Sequence, residues 1–134
     1  MKKILPFTIL ILLTISCNKT GKQLKERIAN ADSAAINYFK GDGTMDTVVS
    51  VKIIRDKQTL DELSNVLTAS TANFTNNCGV DGSIHFFKKD RVVQDIDFRM
   101  NKKDCSQFSF FINGKTVATA LSEEAKKLIE TIKK

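Results

Sequence analysis

Residues 78–105 read CGVDGSIHFFKKDRVVQDIDFRMNKKDC, and the fold follows from how this stretch alternates. It opens on Cys78 with a Gly-x-Asp-Gly turn and closes on Cys105. Between them, Ser83 to Lys88 and Arg91 to Met100 carry the period of two expected of strands. In the second segment Val92, Gln94, Ile96, Phe98 and Met100 fall on one side, and Val93, Asp95, Asp97 and Arg99 on the other. One side suits a core and the other suits water, which is the pattern of an antiparallel sheet covered on a single face. Lys89-Asp90 joins the two strands as a two-residue turn without the glycine that such turns favour.

Downstream, Phe108 to Ile112 is a further strand, turned by Asn113-Gly114 into Thr116 to Ala120. Ser122-Glu123-Glu124 caps a last helix whose buried stripe is Ala125, Leu128, Ile129 and Ile132. Upstream, Thr68 to Asn77 is small and polar and reads as a surface loop. Asp56 to Leu67 is a helix by its leucines at 60, 63 and 67, with Asp56 as its cap. Thr47 to Ile54 is β-branched and reads as a strand. Ser33 to Phe39 fits either a prolonged helix or a strand, and the strand, as hairpin partner of Thr47 to Ile54, is preferred because Lys40-Gly-Asp-Gly43 is turn chemistry. Leu24, Ile28 and Ala31 fit about two helical turns. Residues 24–134 are therefore expected to form one α+β domain, a single twisted antiparallel sheet of about five or six strands with two or three helices packed on one face.

The opening MKKILPFTILILLTIS has two lysines, an apolar run from Ile4 to Leu13, and Ser16 directly before Cys17. That is the layout of a signal peptide, residues 1–16, and the apolar run is too short to cross a bilayer. Leu13-Thr14-Ile15-Ser16-Cys17 resembles the lipobox of bacterial lipoproteins, in the relaxed form found in Bacteroidetes, with Thr14 where leucine is usual. The resemblance implies lipidation of Cys17, and Asn18 resembles an outer-membrane sorting residue. Residues 17–23 are then a lipidated tether, and the chain is expected in the bacterial envelope, on the outer membrane and facing the periplasm. With Cys17 acylated, Cys78 and Cys105 remain in an oxidising compartment and are expected to pair.

Cleavage leaves 134 less 16, or 118 residues, and loss of Lys2 and Lys3 lowers the net charge from +6 to +4. The lysines are dispersed and not interleaved with aromatic residues, so the charge points to no nucleic-acid partner. Taken with the relaxed lipobox, the Gly-Asp-Gly hairpin, the Cys-Gly-x-Asp-Gly turn, the Ile-x-Phe-Phe-Lys strand, the second cysteine before a Phe-rich strand and the Leu-Ser-Glu-Glu opening of the last helix, the chain resembles a group of small Bacteroidetes envelope lipoproteins. The resemblance supports location and architecture and brings no catalytic residues.

Several constellations could carry chemistry. Cys78, His85 and Cys105 match no usual zinc spacing, and no C-x-x-C is present for thiol exchange. No Gly-x-Ser-x-Gly elbow presents a serine to the single histidine. Asp95 and Asp97, two apart on a strand, project from the wet face about 6 to 7 Å from each other. Such a pair suits acid–base work across a sugar bond or a calcium site; the plainer reading is a solvated face on which Arg99 neutralises both. Phe87 and Phe111 alternate away from Phe86, Phe108 and Phe110, and if both lie on the open side they form an apolar patch beside the two aspartates. Asp32-Ser33-Ala34 and Asp46-Thr47-Val48 resemble O-glycosylation acceptors of Bacteroidetes envelope proteins. The expectation is a non-enzymatic, cofactor-free, metal-free protein, held to a membrane through Cys17, that binds an envelope protein through His85, Phe87, Asp95, Asp97, Arg99 and Phe111. The alternative is a small-ligand or metal-binding module, or a hydrolase, built on Asp95, Asp97 and His85.

Overall fold

A computed structural model describes residues 19–67, 71–72 and 78–134. The signal segment and Cys17 lie outside the described residues, as does most of the loop read over Thr68 to Asn77. The elements run α1 (Lys19–Ile28), β1 (Ser33–Phe39), β2 (Val48–Ile54), α2 (Lys57–Leu67), β3 (Thr71–Ala72), β4 (Gly82–Lys88), β5 (Arg91–Arg99), β6 (Gln107–Ile112), β7 (Lys115–Ala120) and α3 (Glu123–Lys133). This is the α+β fold expected, one open antiparallel sheet in the order β2-β1-β4-β5-β6-β7, with the two-residue β3 added beside β7. Helix α1 begins at Lys19, inside the segment expected to be a tether. β3 is a short pairing that the polar composition around it did not announce.

Local chemistry explains the boundaries. Asp56 accepts the Thr59 backbone N–H at 2.9 Å and starts α2, and Ser122 Oγ accepts from Ala125 N at 3.1 Å to start α3; each satisfies a donor that the first helical turn leaves free. The β4–β5 turn is made without glycine. Lys89 and Asp90 both take positive φ, 50° and 64°, as a hairpin turn matched to strand twist requires. Asp32 stabilises it from outside, accepting from the Lys89 amide at 2.9 Å.

The helices lie against one face of the sheet. Leu24 and Ile28 of α1, Leu60, Leu63 and Leu67 of α2, and Ala125 and Ile129 of α3 pack with Ile36, Ile84, Phe86, Ile96, Phe98 and Phe108 in one core. Tyr38 is buried among them and donates its hydroxyl to the Ile129 carbonyl at 2.7 Å. Burial pushes that hydroxyl's pKa up to about 12, so it stays a donor throughout the physiological range. Leu128 and Ile132, expected in the buried stripe of α3, lie half-covered at the margin of the core.

The disulfide is present: Cys78 and Cys105 are joined, with their Cα atoms 5.5 Å apart. Closing a loop of 27 residues stabilises the fold by about 3.5 kcal/mol in the chain-entropy account. Two glycines beside it are required by close approach. At Gly79, with φ of +73°, an added Cβ would lie 2.6 Å from the Gly43 carbonyl oxygen; at Gly82 it would meet the Phe98 ring. The Cys-Gly-x-Asp-Gly turn is thus a seat for the β1–β2 loop on one side and for Phe98 on the other.

One reading of the faces needs correction. Phe86 pairs with Gln94 while Phe87 pairs with Val92, so Val93 is an extra residue in β5. Such a bulge breaks strict alternation. Val92, expected in the core, is 52% exposed, and Val93, expected in water, packs against the core.

Candidate functional site

The uncovered face carries two charged clusters along β4 and β5. At one end of the hairpin Asp81, in the turn before β4, is buried and receives Arg99 Nη1 at 2.6 Å, Met100 N at 2.7 Å and Asn101 N at 3.0 Å. The Arg99 guanidinium lies against Gly43, whose added Cβ would be 3.2 Å from Nη1. Arg99 therefore does not neutralise Asp95 and Asp97, as alternation suggested; its side chain is 11% exposed and is committed to Asp81. Arg99 belongs to the architecture of the loops and not to an open binding surface. Asp81 was legible only as a turn former.

The second cluster lies further along the same strands. His85 pairs directly with Asp95 across the β4–β5 ladder, and Ser83 with Asp97. On the other side of β4, Asn37 of β1 pairs with Ser83. His85 Nδ1 is 2.5 Å from Asp95 Oδ1. A carboxylate can only accept, so Nδ1 carries the proton. Nε2 lies 3.0 Å from Ser83 Oγ and 3.2 Å from Asn37 Nδ2. The sole histidine is thus a fixed, half-buried member of a four-residue network and not a free surface ring. The order Ser83, His85, Asp95 has the connectivity of a nucleophilic triad. However, Ser83 is 3% exposed near the start of β4 and shares Nε2 with an amide, so its oxygen is not offered to a substrate.

Asp97 differs from Asp95. Burial pushes its carboxyl above the ordinary carboxylate range and the neighbouring Asp95 adds to the rise, against the pull of His85. Both aspartates open onto a cleft of about 350 Å³ where β5 and β6 part, lined also by Arg27, Val92, Ser109 and Phe111. The two strands pair only at Asp97–Ser109, Phe98–Phe108 and Arg99–Gln107. Beyond that, Gln94 Nε2 reaches the Phe111 carbonyl at 3.3 Å, a side-chain bond standing in for the ladder. Its Oε1 faces Arg27 Nη1 of α1 at 3.5 Å.

The two phenylalanines singled out do not form one patch. Phe111 is 64% exposed at the cleft, whereas Phe87 is half-buried and lines a separate hollow with Ala35, Ile53 and Arg55. An exposed apolar stripe not expected from the sequence is on β2, where Val51 and Ile53 share the uncovered face and Val48 and Val49, at a bulge against Phe39, are exposed as well. The spacing of two between Val51 and Ile53 was the signal; the β-branched run was read only as evidence for a strand.

For a metal, Cys78 and Cys105 are bonded to each other, and among the described residues no three His, Cys, Asp or Glu side chains converge as ligands. Among the described residues no helix is long and apolar enough to cross a membrane. Comparison with family models, with curated proteins and with solved structures returns no match.

Proposed function

We propose that the protein is a lipid-anchored component of a bacterial cell envelope, acylated at Cys17 and facing the periplasm on the outer membrane, which docks a protein partner on the uncovered face of its sheet. The observation that carries this reading is the make-up of that face. Exposed Val51, Ile53, Val92 and Phe111 flank a polar centre of His85, Asp95 and Asp97. Apolar side chains around a few fixed polar groups are what a protein interface presents, the apolar area driving association and the polar groups setting register. The anchor is supported by residues 1–17, and α1 starts at Lys19, close behind the acylated position.

The test uses the lipidated chain, cross-linked in native membranes. Phe111→Glu is expected to abolish capture of the partner, with Lys127→Glu on α3, in the opposite layer, as the control that leaves capture intact. Capture unaffected by Phe111→Glu removes the open face from the reading. The mass of the chain recovered from the envelope tests the anchor, which requires a start at Cys17 and an attached acyl group.

A second reading is a small polar ligand in the β5–β6 cleft, favoured by the half-buried carboxyl of Asp97 at its wall. Titration with sugars and with calcium, followed by Asp95 and Asp97 resonances, separates the two: shifts confined to these residues support the cleft, and their absence leaves the docking face.

A further inference from the structure

Because neighbouring strands are antiparallel, the β4–β5 turn at Lys89-Asp90 and the β6–β7 turn at Asn113-Gly114 lie at the same end of the sheet. Helix α1 crosses that end. Its Gln23 accepts from Asn113 Nδ2 at 2.5 Å, its Arg27 faces Gln94, and the chain leaving it enters β1 through Asp32, which accepts from the Lys89 amide. Only Asn18 separates α1 from position 17, so Cys17 lies within about 7 Å of Lys19. That leaves no slack to hold the domain away from a bilayer, and an acyl group at Cys17 brings this end of the sheet up against the lipid.

The positive charge is at the same end. Segments 19–28, 88–91 and 113–115 hold eight Lys and Arg residues and two acids, whereas the rest of the chain from Cys17 onward holds eleven and thirteen. Lys22, Lys25, Lys88, Lys89, Arg91 and Lys115 are exposed, and among the described residues none of the six is in an ion pair. Nearby Asp32 is occupied by the Lys89 amide, and residues 55–61, which follow β2 at this end, are balanced with two cations and two acids. Lysines that look dispersed along the chain are thus gathered by the topology.

We propose that this end of the sheet, α1 with the β4–β5 and β6–β7 turns, lies on the bilayer and binds the anionic headgroups of its phospholipids. The position of the bilayer rests on the acylation of Cys17 proposed above; the affinity for headgroups comes from the cations alone. Attraction between basic side chains and an anionic membrane acts over a Debye length, about 8 Å at physiological salt, and the short reach from Cys17 keeps the start of α1 inside that distance. Headgroup phosphates then accept charge-assisted hydrogen bonds from lysine and arginine. The strands stand upright on the membrane, with the uncovered face turned sideways, so that His85, Asp95 and Phe111 stay open to a partner.

The test separates headgroups from anchor. The chain from position 17 onward, carrying Cys17→Ser so that no acyl group contributes, is expected to sediment with vesicles of phosphatidylglycerol mixed into phosphatidylcholine, and to stay in solution with phosphatidylcholine alone. Lys88→Gln and Lys115→Gln, at exposed positions and checked for unchanged circular dichroism, are each expected to lower that partition about fivefold, the worth of one cation at an anionic surface. Lys103→Gln, beyond the other end of β5, and Lys127→Gln on α3 are expected to leave it unchanged. On the acylated chain in the mixed vesicles, a water-soluble amine-modifying reagent is expected to reach Lys127 and to be kept from Lys22, Lys88 and Lys115. Equal sedimentation with the two kinds of vesicle overturns the proposal. So does an equal loss from Lys127→Gln, which would make binding a matter of net charge and not of this end. The anchor fails separately: a chain recovered from the envelope without an acyl group, yet still held by phosphatidylglycerol, refutes acylation and retains the headgroup surface.

Discussion

Two aspartate clusters sit on the same pair of strands and have opposite characters. Asp81 and Arg99 are nearly sealed, with side chains 3% and 11% exposed, and Asp81 is fully engaged by one guanidinium and two backbone amides. Asp95 and His85 are 64% and 29% exposed, and Asp97 beside them carries a carboxyl that burial makes reluctant to ionise. The first cluster joins the β1–β2 loop, the disulfide turn and the end of β5. The second is held in place by the ladder but left open to whatever approaches the face. Solvent makes the difference: the same ion-pair chemistry is strong and obligatory where water is excluded and weak where it is not.

The contrast breaks first at Asp81. Asp81→Asn leaves Arg99 charged and buried, and is expected to cost about 3 to 5 kcal/mol in denaturant unfolding. Adding Arg99→Met should return part of that loss; no recovery would mean that the two backbone amides, and not the ion pair, hold the turn. Replacing Cys78 and Cys105 together by serine is expected to cost about 3.5 kcal/mol by release of the closed loop, read as a lower denaturant midpoint.

In the open cluster the expected effects shrink. Asp95→Asn removes an exposed pair and should change stability by less than about 1 kcal/mol. Its larger signature is a change in the His85 ring resonances, because Nδ1 loses its charged acceptor. A loss as large as that of Asp81→Asn would erase the distinction between the clusters.

Asp97 sharpens it in the other direction. Its folded-state pKa is raised, so the folded protein binds the proton more tightly than the unfolded chain does. Its contribution is fully present below the ordinary carboxylate pKa and is lost as pH rises through the raised folded value. Asp97→Asn is therefore expected to raise the melting temperature slightly at neutral pH, with the gain disappearing in acid. A fall at neutral pH would mean that attraction to His85 outweighs burial.

Much of the sheet was readable along the chain. Asn113-Gly114 turned where it should, Ser122 and Asp56 capped their helices, and the alternation of Ile96, Phe98 and Met100 located the buried side of β5. Those features depend on neighbours a few residues apart. The alternation failed at Val92 and Val93, because a bulge depends on the partner strand. The partners of the site were invisible for the same reason. Asp81 meets Arg99 at a separation of 18 residues, and Asn37 meets His85 at 48; no spacing rule links either pair.

The sequence by itself determined the six longer strands and the helices behind them, the apolar side of β5 up to its bulge, and the caps of α2 and α3, since hydrophobic period and backbone hydrogen bonding act locally. Only the tertiary structure decided that Arg99 would be sealed onto Asp81, that the lone histidine would be tied to Asp95, Ser83 and Asn37, and that β2 would be left as an edge with four β-branched side chains uncovered. Those outcomes depend on strand order and register, which are set when distant segments pack together and water is excluded from some charges and not from others.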